Sequence, residues 1–400
     1  MRITVIGAGA IGSAVAHELR DRAAVEQIQV CDARSRSLQD LHDKEKSAKL
    51  RSFQVDVRDV SVLEPILRGS DCVIGCAAPE VNPILAEICL DLGIHFCDLG
   101  GNEEIVRKEL KLHERAAQKS IWIVPNCGLA PGLVNILCMH GVDQFDEVDA
   151  AHLRVGDVPL HPEPPFNFRI SWSAEKIIDD YTHPVHLIEN GKIKHLEPLS
   201  LDEPICFPAP FERMESFCTA GGLSTLTEQL AGKVKSLDHK TIRWPGHANQ
   251  MRFLLGLGFG EARSIDVRTH LSYRDVLIRR MRQRLGGMHE DAVLLRVLLK
   301  GKVGKKKRTL VYELIERFDA SHKMTAIQRC TSVPTATIAQ LIAAKEVPGG
   351  GARPPENVVP RDRFLEMLAE RGLDIKTSWH DGYVRVHNPE DGSTASEPRG

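Results

Sequence analysis

Three glycines near the start of the chain have the spacing that a dinucleotide phosphate requires. The motif Gly-Ala-Gly-Ala-Ile-Gly occupies residues 7–12, after an apolar run and before a helix pattern. Gly7 permits a tight turn, Gly9 lets the backbone approach a pyrophosphate, and Gly12 lets the helix pack closely on the strand. The positive end of that helix would face the phosphates. The motif therefore predicts NAD(P) binding rather than an ordinary turn between a strand and a helix.

An aspartate about 20 residues further on indicates which dinucleotide is bound. Asp32 closes the second apolar run. Its carboxylate can accept hydrogen bonds from the ribose hydroxyls and would repel a 2′-phosphate. Arg34 and Arg36 follow closely, and an arginine could pair with the extra phosphate of NADP. We therefore expect NAD, with NADP as the alternative.

Alternating strand and helix patterns over residues 1–130 predict the frame that positions this motif. Near-continuous apolar runs alternate with helical segments, which is typical of an α/β fold with a parallel, doubly wound Rossmann sheet. Ligands on such sheets bind beyond the carboxyl ends of the strands, here the loops 77–82, 98–103 and 125–132. The predicted cofactor-binding residues are Gly7, Gly9, Ala10, Ile11, Gly12, Asp32, Ala77, Ala78, Asn82 and Gly128.

The pattern changes after residue 130. Residues 131–322 contain longer strand-like runs with charged interruptions, which predict a second α+β domain with a mixed or antiparallel sheet. We expect this domain to bind the substrate and to carry an interface of a homodimer or larger homo-oligomer. The pattern turns helical again over residues 323–385, and the polar stretch 386–400 predicts a disordered tail.

Composition excludes several kinds of partner. Lys and Arg number 52 and Asp and Glu number 54, so the near-zero net charge argues against nucleic acid or a membrane surface as the main partner. The ten cysteines form no CxxC pair, and His183 and His186 lack the neighbours of a metal site. The chain opens directly with a strand and contains no membrane-spanning apolar run. We therefore expect a cytoplasmic protein with reduced thiols and no metal.

The order of further motifs resembles the saccharopine dehydrogenase family of amino-acid oxidoreductases, and within it the lysine 6-dehydrogenases. The resemblance runs from residue 1 to about residue 376. It implies that the chain leaves the dinucleotide domain near residue 130 and returns to it through a helix near Thr335. The segments that carry the resemblance are Ile94–Gly101, Asn126–Gly132, Phe168–Tyr181, Thr219–Thr225, Lys240–His247 and Thr325–Glu346.

Amine oxidation, which the resemblance implies, needs a hydride acceptor, a base for the ammonium proton and a cation for the substrate carboxylate. Arg243 is the best carboxylate ligand, because a guanidinium forms bidentate pairs. Lys240 and His247 share its motif and are catalytic candidates, and the ordinary pKa of histidine suits a base near neutral pH. Asp98 ends a strand at the cofactor edge and could orient the substrate amine or a water. Each of these residues could instead be a surface charge or a structural polar group.

A second carboxylate-binding candidate is the glycine-rich stretch Thr219–Thr225. The bare backbone at Gly222 and the hydroxyls of Ser224 and Thr225 could hold a carboxylate. The alternative is a plain turn before a helix, with Ser224 or Thr225 as its N-cap.

The resemblance implies an NAD-dependent oxidation of the ε-amino group of L-lysine. The products would be ammonia and a semialdehyde that cyclises to a piperideine carboxylate. The segment Ala78-Pro79-Glu80 and the residue Asn126 differ in residue type from the lysine 6-dehydrogenases at the nicotinamide edge, so the substrate could differ. One alternative is an opine-type imine reductase, which would need a second cation near Arg243, such as Lys240 or Arg213. Another is a non-catalytic NAD-binding scaffold or sensor. A short-chain alcohol dehydrogenase is disfavoured because no Tyr-x-x-x-Lys pair is present.

Overall fold

A computed structural model describes residues 1–266 and 270–388 of the chain. Its strands are β1 (Arg2–Ile6), β2 (Gln27–Asp32), β3 (Leu50–Gln54), β4 (Cys72–Gly75), β5 (His95–Asp98), β6 (Trp122–Val124), β7 (Glu147–Pro159), β8 (Val185–Glu189), β9 (Lys192–Leu196), β10 (Ser200–Ile205), β11 (Met214–Cys218), β12 (Val234–Arg243), β13 (Asp291–Val303), β14 (Lys306–Arg317), β15 (Gly351–Ala352) and β16 (Lys376–Asp381).

The helices separate these strands in the first third of the chain and become less regular later. They are α1 (Ala10–Arg20), α2 (Ser35–Lys44), α3 (Val60–Leu67), α4 (Asn82–Leu92), α5 (Glu103–Leu110), α6 (His113–Gln118), α7 (Leu133–Val142), α8 (Ala174–Asp180), α9 (Leu226–Leu230), α10 (His247–Gly256), α11 (Tyr273–Leu285), α12 (Ala326–Ala343) and α13 (Arg361–Ala369).

The predicted Rossmann sheet is confirmed. Seven parallel strands stand in the order β15-β6-β5-β4-β1-β2-β3. All four residues of β4 are buried, and so are Ile3 to Ile6 of β1, which means that both faces of the central strands are covered. The carboxyl ends of these strands lie at one edge of the sheet, beside the loops that the sequence selects.

The second predicted sheet is also confirmed, and it is mixed. Its main path is β10-β11-β12-β7-β13-β14-β16, and β8 pairs with β12 and β9. β12 and β7 are parallel, whereas the other neighbours are antiparallel. The register of β12 against β7 is regular from Ser236 to Thr241, so the side chains of β12 alternate strictly between the two faces there.

The chain forms two compact units. One consists of Met1–Ile136 with Gln328–Asp374, and the other of Leu137–Ile327 with the described residues from Ile375 onward. The second unit therefore contains β16, in a stretch where the sequence predicts C-terminal helices. Its residues 376–381 form a strand instead, because pairing with β14 satisfies backbone groups that would otherwise be an open edge. Of the predicted tail, residues 389–400 lie outside the described residues.

Within the described part of the chain, no helix has both the length and the apolar composition needed to cross a membrane. A surface cavity of about 330 Å³ lies at the amino-terminal edge of the parallel sheet, opposite the predicted cofactor edge. Its lining includes Arg2 and Asp71 but none of the predicted site residues.

Candidate functional site

The glycine motif has the local geometry of a phosphate cradle. Gly7 has a φ of 107°, and a Cβ there would stand 2.7 Å from the carbonyl oxygen of Cys76. A Cβ on Gly12 would overlap the carbonyl oxygen of Gly7. A Cβ on Gly9, in contrast, would meet no heavy atom within 4 Å. Gly7 and Gly12 thus shape the loop, and Gly9 leaves open space where a pyrophosphate would approach.

The start of α1 is available to an anion. Gly9 is the N-cap of this helix and provides no side-chain hydrogen bond to the first N–H groups, which include those of Ala10 and Ile11. Uncapped N–H groups together with the positive helix end favour a phosphate. The residues present therefore fit the dinucleotide that the sequence predicts.

Asp32 is buried at the end of β2, and its carboxylate is hydrogen-bonded to the backbone of the glycine loop. One oxygen accepts a hydrogen bond from the Ala8 N–H at 2.8 Å, and the other accepts one from the Arg34 N–H at 2.8 Å. Each oxygen keeps lone-pair capacity for ribose hydroxyls. The Arg34 side chain is 71% exposed, and its Nε lies 3.4 Å from the Asp32 carboxylate.

The other predicted cofactor residues lie after β4 and β6. Ala77 and Ala78 directly follow β4 and Asn82 begins α4, where its side-chain oxygen is buried without a hydrogen-bond partner among the described residues. The carbonyl of Gly128 accepts a hydrogen bond from the Leu133 N–H at the start of α7. An unsatisfied buried oxygen at this edge is a feature that a ligand donor would relieve.

Asp98 is fully buried, and its carboxylate organises the cofactor edge. Oδ1 accepts hydrogen bonds from the N–H groups of Gly100 at 2.5 Å and Asn126 at 3.4 Å. Glu109 of α5 is also fully buried beside it. Burial and the neighbouring Asp98 raise the pKa of Glu109 to about 11, and burial raises the pKa of Asp98 to about 6. Glu109 is thus held in its protonated form beside Asp98. These hydrogen bonds support a structural role for Asp98, in which it stabilises the turns at Gly100 and Asn126, as the alternative to a role in orienting the substrate.

In the second unit, Arg243 lies at the end of β12 and is only 4% exposed. Its Nη1 donates to Asp157, reaching the backbone oxygen at 2.9 Å and Oδ1 at 3.1 Å, and its Nε donates to the Tyr181 hydroxyl at 3.3 Å. The guanidinium also lies over the ring of Phe168. Among the described residues, no hydrogen bond uses Nη2, so this nitrogen retains its donors for a carboxylate.

His247 opens α10 and contacts the same Tyr181 hydroxyl as Arg243. Its Nε2 lies 3.0 Å from the Tyr181 hydroxyl, and its ring packs against Phe168 and Phe217. Burial and the charge of Arg243 lower the pKa of His247 well below its ordinary value. His247 is therefore a neutral imidazole, not the base of ordinary pKa that the sequence predicts.

Lys240 lies on the other face of β12, because three positions separate it from Arg243 on an alternating strand. Its Nζ pairs with Glu203 at 2.9 Å. Glu203 also pairs with the buried Arg154, which binds Asp238. The expectation of Lys240 as a second cation near Arg243 is therefore corrected, and the other candidate, Arg213, is exposed.

The stretch Thr219–Thr225 packs on the Arg243 face of β12. The hydroxyls of Thr219 and Thr241 are 2.7 Å apart, and the bare α-carbon of Gly222 faces the ring of His239. Ser224 has a φ of 45°, and Thr225 stands at the N-cap position of α9 without a side-chain cap bond. The loop therefore lies on the same face of β12 as Arg243.

Sequence reasoning missed five residues of this cluster. Asp157 and Tyr181 are separated from Arg243 by 86 and 62 positions, so no local pattern connects them. The alternation of β12 is a signal that could have placed His239 beside Arg243. The missed residues are Asp157, Lys176, Asp180, Tyr181 and His239.

No group of three or more metal-ligating side chains occurs among residues 1–266 and 270–388. The predicted site residues thus fall into two sets. One lies at the carboxyl edge of the parallel sheet and the other lies around β12.

Comparisons with known proteins follow the same division. The model of the saccharopine dehydrogenase NADP-binding domain matches residues 3–124, and that of the saccharopine dehydrogenase C-terminal domain matches residues 128–373. Carboxyaminopropylagmatine dehydrogenase of Synechocystis sp. is 21% identical, over 95% of this chain and 97% of that protein. The mitochondrial α-aminoadipic semialdehyde synthase of Rattus norvegicus is 22% identical over 33% of this chain, which is 14% of that protein.

Two solved structures have a similar fold. Saccharopine dehydrogenase (L-Glu forming) of Saccharomyces cerevisiae has a TM-score of 0.79 at 15% identity, with 95% of this chain and 99% of that chain covered. The homospermidine synthase of Legionella pneumophila, solved with NAD, has a TM-score of 0.69 at 13% identity, with 99% and 94% covered.

Proposed function

This chain belongs to the saccharopine dehydrogenase family, and from that premise we propose that it oxidises the ε-amino carbon of L-lysine. The family consists of NAD(P)-dependent oxidoreductases that act on CH–NH groups. The glycine cradle of residues 7–12 fits NAD(P), with Asp32 favouring NAD. The lysine substrate and the roles of individual side chains are our proposal.

In the proposed reaction, the glycine loop of residues 7–12 would hold NAD(P), which would supply the hydride acceptor for the carbon that carries the ε-amine. The ammonium loses one proton, and the resulting imine adds water and releases ammonia. The sum consumes the protonated amine, NAD⁺ and water, and it yields the semialdehyde, ammonium, NADH and one proton. The chain must hold the substrate carboxylate and keep a proton acceptor near the amine.

The observation that carries this proposal is the buried array around Arg243. Its Nη2 would bind the α-carboxylate, while the bonds of Nη1 and Nε to Asp157 and Tyr181 fix the plane of the guanidinium. A neutral His247, hydrogen-bonded to Tyr181, can accept a proton and pass it on. The lowered pKa of His247 makes it a weak base, so we expect a transient role rather than a stable imidazolium.

A second candidate function is an opine-type reduction of an imine formed from an amine and an oxo acid. It needs a further cation, and Lys176 of α8 provides one near the Gly221 turn. Carboxyaminopropylagmatine dehydrogenase, which matches along nearly the whole chain, supports a substrate other than lysine. A third candidate function is a non-catalytic NAD-binding scaffold, which would bind the cofactor without turning over a substrate.

The test is the absorbance of the reduced cofactor with purified protein, L-lysine and either NAD or NADP. L-saccharopine is run in parallel in the same direction, and an amine plus an oxo acid with NADH in the reverse direction. Lysine-dependent reduction with release of ammonia would support the leading proposal. Activity only with saccharopine or in the reverse direction would move the protein to the second candidate. Cofactor binding without turnover of any of these compounds would favour the scaffold.

A further inference from the structure

The backbone on both sides of His247 is held by one carboxylate, that of Glu215. Glu215 Oε2 accepts a hydrogen bond from the Gly246 N–H at 2.8 Å, and Oε1 accepts one from the Ala248 N–H at 2.8 Å. His247 lies between these two residues in the chain. The bonds join residues 31 and 33 positions apart, so no local motif reveals them.

The register of the second sheet brings Glu215 to the start of α10. β11 runs antiparallel to β12, and Glu215 stands directly opposite Arg243 in that pair. Side chains that are directly opposite in an antiparallel pair lie on the same face of the sheet. β12 ends at Arg243 and α10 begins at His247, so only residues 244–246 connect the two elements. Because this connection is short, a carboxylate opposite Arg243 can reach the first turn of the helix.

Glu215 provides a cap that α10 lacks in its own sequence. The N-cap residue of α10 is Gly246, which has a φ of 95° and makes no side-chain cap bond. The first N–H groups of a helix need acceptors, and the positive end of a helix favours a carboxylate. Glu215 meets both needs from a neighbouring strand. The position of the first turn of α10 therefore depends on a residue of β11.

The ring of His247 moves with this turn because its contacts are close. The centroid of the ring lies 4.6 Å from that of Phe168, and the ring stacks on Phe217 at an interplanar angle of 14°. Its Nε2 lies 3.0 Å from the Tyr181 hydroxyl. A shift of the first turn of α10 would lengthen this hydrogen bond, so the bond depends on the backbone that Glu215 holds.

We propose that Glu215 is a positioning residue for His247. Its carboxylate holds the start of α10 so that Nε2 of His247 stays within hydrogen-bond distance of Tyr181. The inference rests on the proposed function, in which His247 accepts the proton of the substrate ammonium. Arg243 is held by Asp157 and Tyr181 instead. A change at Glu215 should therefore affect kcat more than the KM for the amino-acid substrate.

The test uses two variants of Glu215 and a control. Glu215→Gln keeps the length of the side chain but removes its charge and replaces one acceptor oxygen by an NH₂ group. Glu215→Asp keeps the charge and both oxygens on a side chain that is too short to reach both N–H groups. Glu212→Gln, at an exposed position just before β11, is the matched control. Thermal melting shows which variants are folded, and Glu215→Asp decides the question if Glu215→Gln does not fold.

The first readout is the NMR signal of His247 Nε2 in full-length protein that carries isotope-labelled histidine. His247→Gln identifies the signal by its absence, and Tyr181→Phe gives its position when the hydroxyl is missing. We expect Glu215→Gln to move the signal towards the Tyr181→Phe position and Glu215→Asp to move it less. Glu212→Gln should leave it in place. A loss of helix stability alone would lower the melting temperature without moving this signal.

The second readout is the kinetics with L-lysine and NAD. Misplacement of a reacting group by about 1 Å can cost 10²-fold in rate, so we expect Glu215→Gln to lower kcat by about tenfold or more. Its KM for lysine should stay within about threefold of wild type, because uniform substrate binding is retained. A rise in KM that accounts for the whole loss would contradict the assignment.

The inference and the proposed function can fail separately. If wild type turns over none of the compounds tested, the lysine proposal fails, and the His247 signal alone decides the role of Glu215. An unchanged His247 signal in a folded Glu215 variant would overturn the inference whatever the activity. An equal movement of the signal in Glu212→Gln would also overturn it.

Discussion

At the scale of single residues, the surroundings of a side chain decide its chemistry more than its type does. Histidine ordinarily titrates near neutral pH, yet burial makes both His239 and His247 neutral near pH 7. Lys240 and Arg243 are both cations of one motif, yet they point to opposite faces of the sheet. These differences follow from burial and from strand alternation.

Arg243→Lys should weaken the binding of amino-acid substrates while leaving the site folded. Lysine keeps the positive charge opposite Asp157. It lacks the planar guanidinium, whose several N–H donors can bind a substrate carboxylate and contact Asp157 and Tyr181 at the same time. We expect kcat/KM for the amino-acid substrate to fall by about tenfold or more, which corresponds to roughly 1.4 kcal/mol. Lys240→Arg, which keeps its pair with Glu203 on the other face, is the matched control. Equal losses in the two variants would contradict the assignment of faces.

Glu109→Gln should stabilise the protein progressively as the pH rises. The pKa of Glu109 is about 11 in the folded state and near 4.5 when unfolded, so the folded state binds the extra proton between these values. Stability from this group is therefore complete below pH 4.5 and falls as the pH rises. Glutamine is neutral at every pH, so it fits the same buried position without needing that proton.

We expect the Glu109→Gln advantage in unfolding free energy to grow by roughly 1–3 kcal/mol between pH 5 and pH 8, as measured by urea unfolding. Glu104→Gln, an exposed position on the same helix, is the control and should show no such growth. Parallel pH profiles for Glu109→Gln and wild type would show that Glu109 carries no buried proton.

At the scale of elements, the turn from β1 into α1 contains glycines with two different roles within six residues. Some are needed for the fold, and one leaves room for the cofactor. Gly12 is where the helix backbone and the loop come closest, whereas Gly9 faces open space. One element therefore contains a glycine that the fold needs and a glycine that the cofactor needs.

Gly9→Ala and Gly12→Ala should consequently fail in different ways. Gly9→Ala meets no atom of the folded chain, so its melting temperature should stay within about 2 °C of wild type while NADH affinity falls by about tenfold or more. Gly12→Ala places a methyl group on the Gly7 carbonyl, so we expect it to lower the melting temperature as well. Fluorescence titration with NADH and thermal melting separate the two effects. Similar melting losses in both variants would refute the distinction.

At the scale of the whole molecule, the C-terminal stretch completes the second sheet. β16 pairs with β14 along six residues, and Arg296 of β13 donates to the backbone oxygens of Val386 and His387 at 2.9 and 3.3 Å. Arg296 is 3% exposed, so these carbonyls satisfy a buried guanidinium. The last described residues are thus part of the second unit rather than an appendage.

Deleting residues 375–400 should therefore destabilise the second unit. β14 would lose its neighbour, and Arg296 would keep Glu313 and Cys206 but lose two carbonyl partners. We expect a loss of roughly 2–4 kcal/mol in unfolding free energy and faster amide exchange along β14. NADH binding by the glycine loop should persist, because those residues belong to the first unit. Unchanged exchange along β14 would show that β16 contributes little.

The sequence by itself determined the dinucleotide-binding part of this protein. Gly7, Gly9, Gly12 and Asp32 act through a contiguous strand, turn and helix, so their spacing specifies their geometry. Strands buried on both faces also have a pattern that local sequence reveals, which is why the parallel sheet was predictable. The family motifs were likewise readable as linear stretches.

Only the tertiary structure decided the arrangement around β12. The contacts of Arg243 with Asp157 and of His247 with Tyr181 join residues 86 and 66 positions apart, and no local spacing encodes them. The face on which Lys240 lies, the protonated form of Glu109, and the unsatisfied ring of His239 all depend on register and burial. Sequence supplies the residue types, but burial and neighbouring charges set their protonation and orientation once the sheets are assembled.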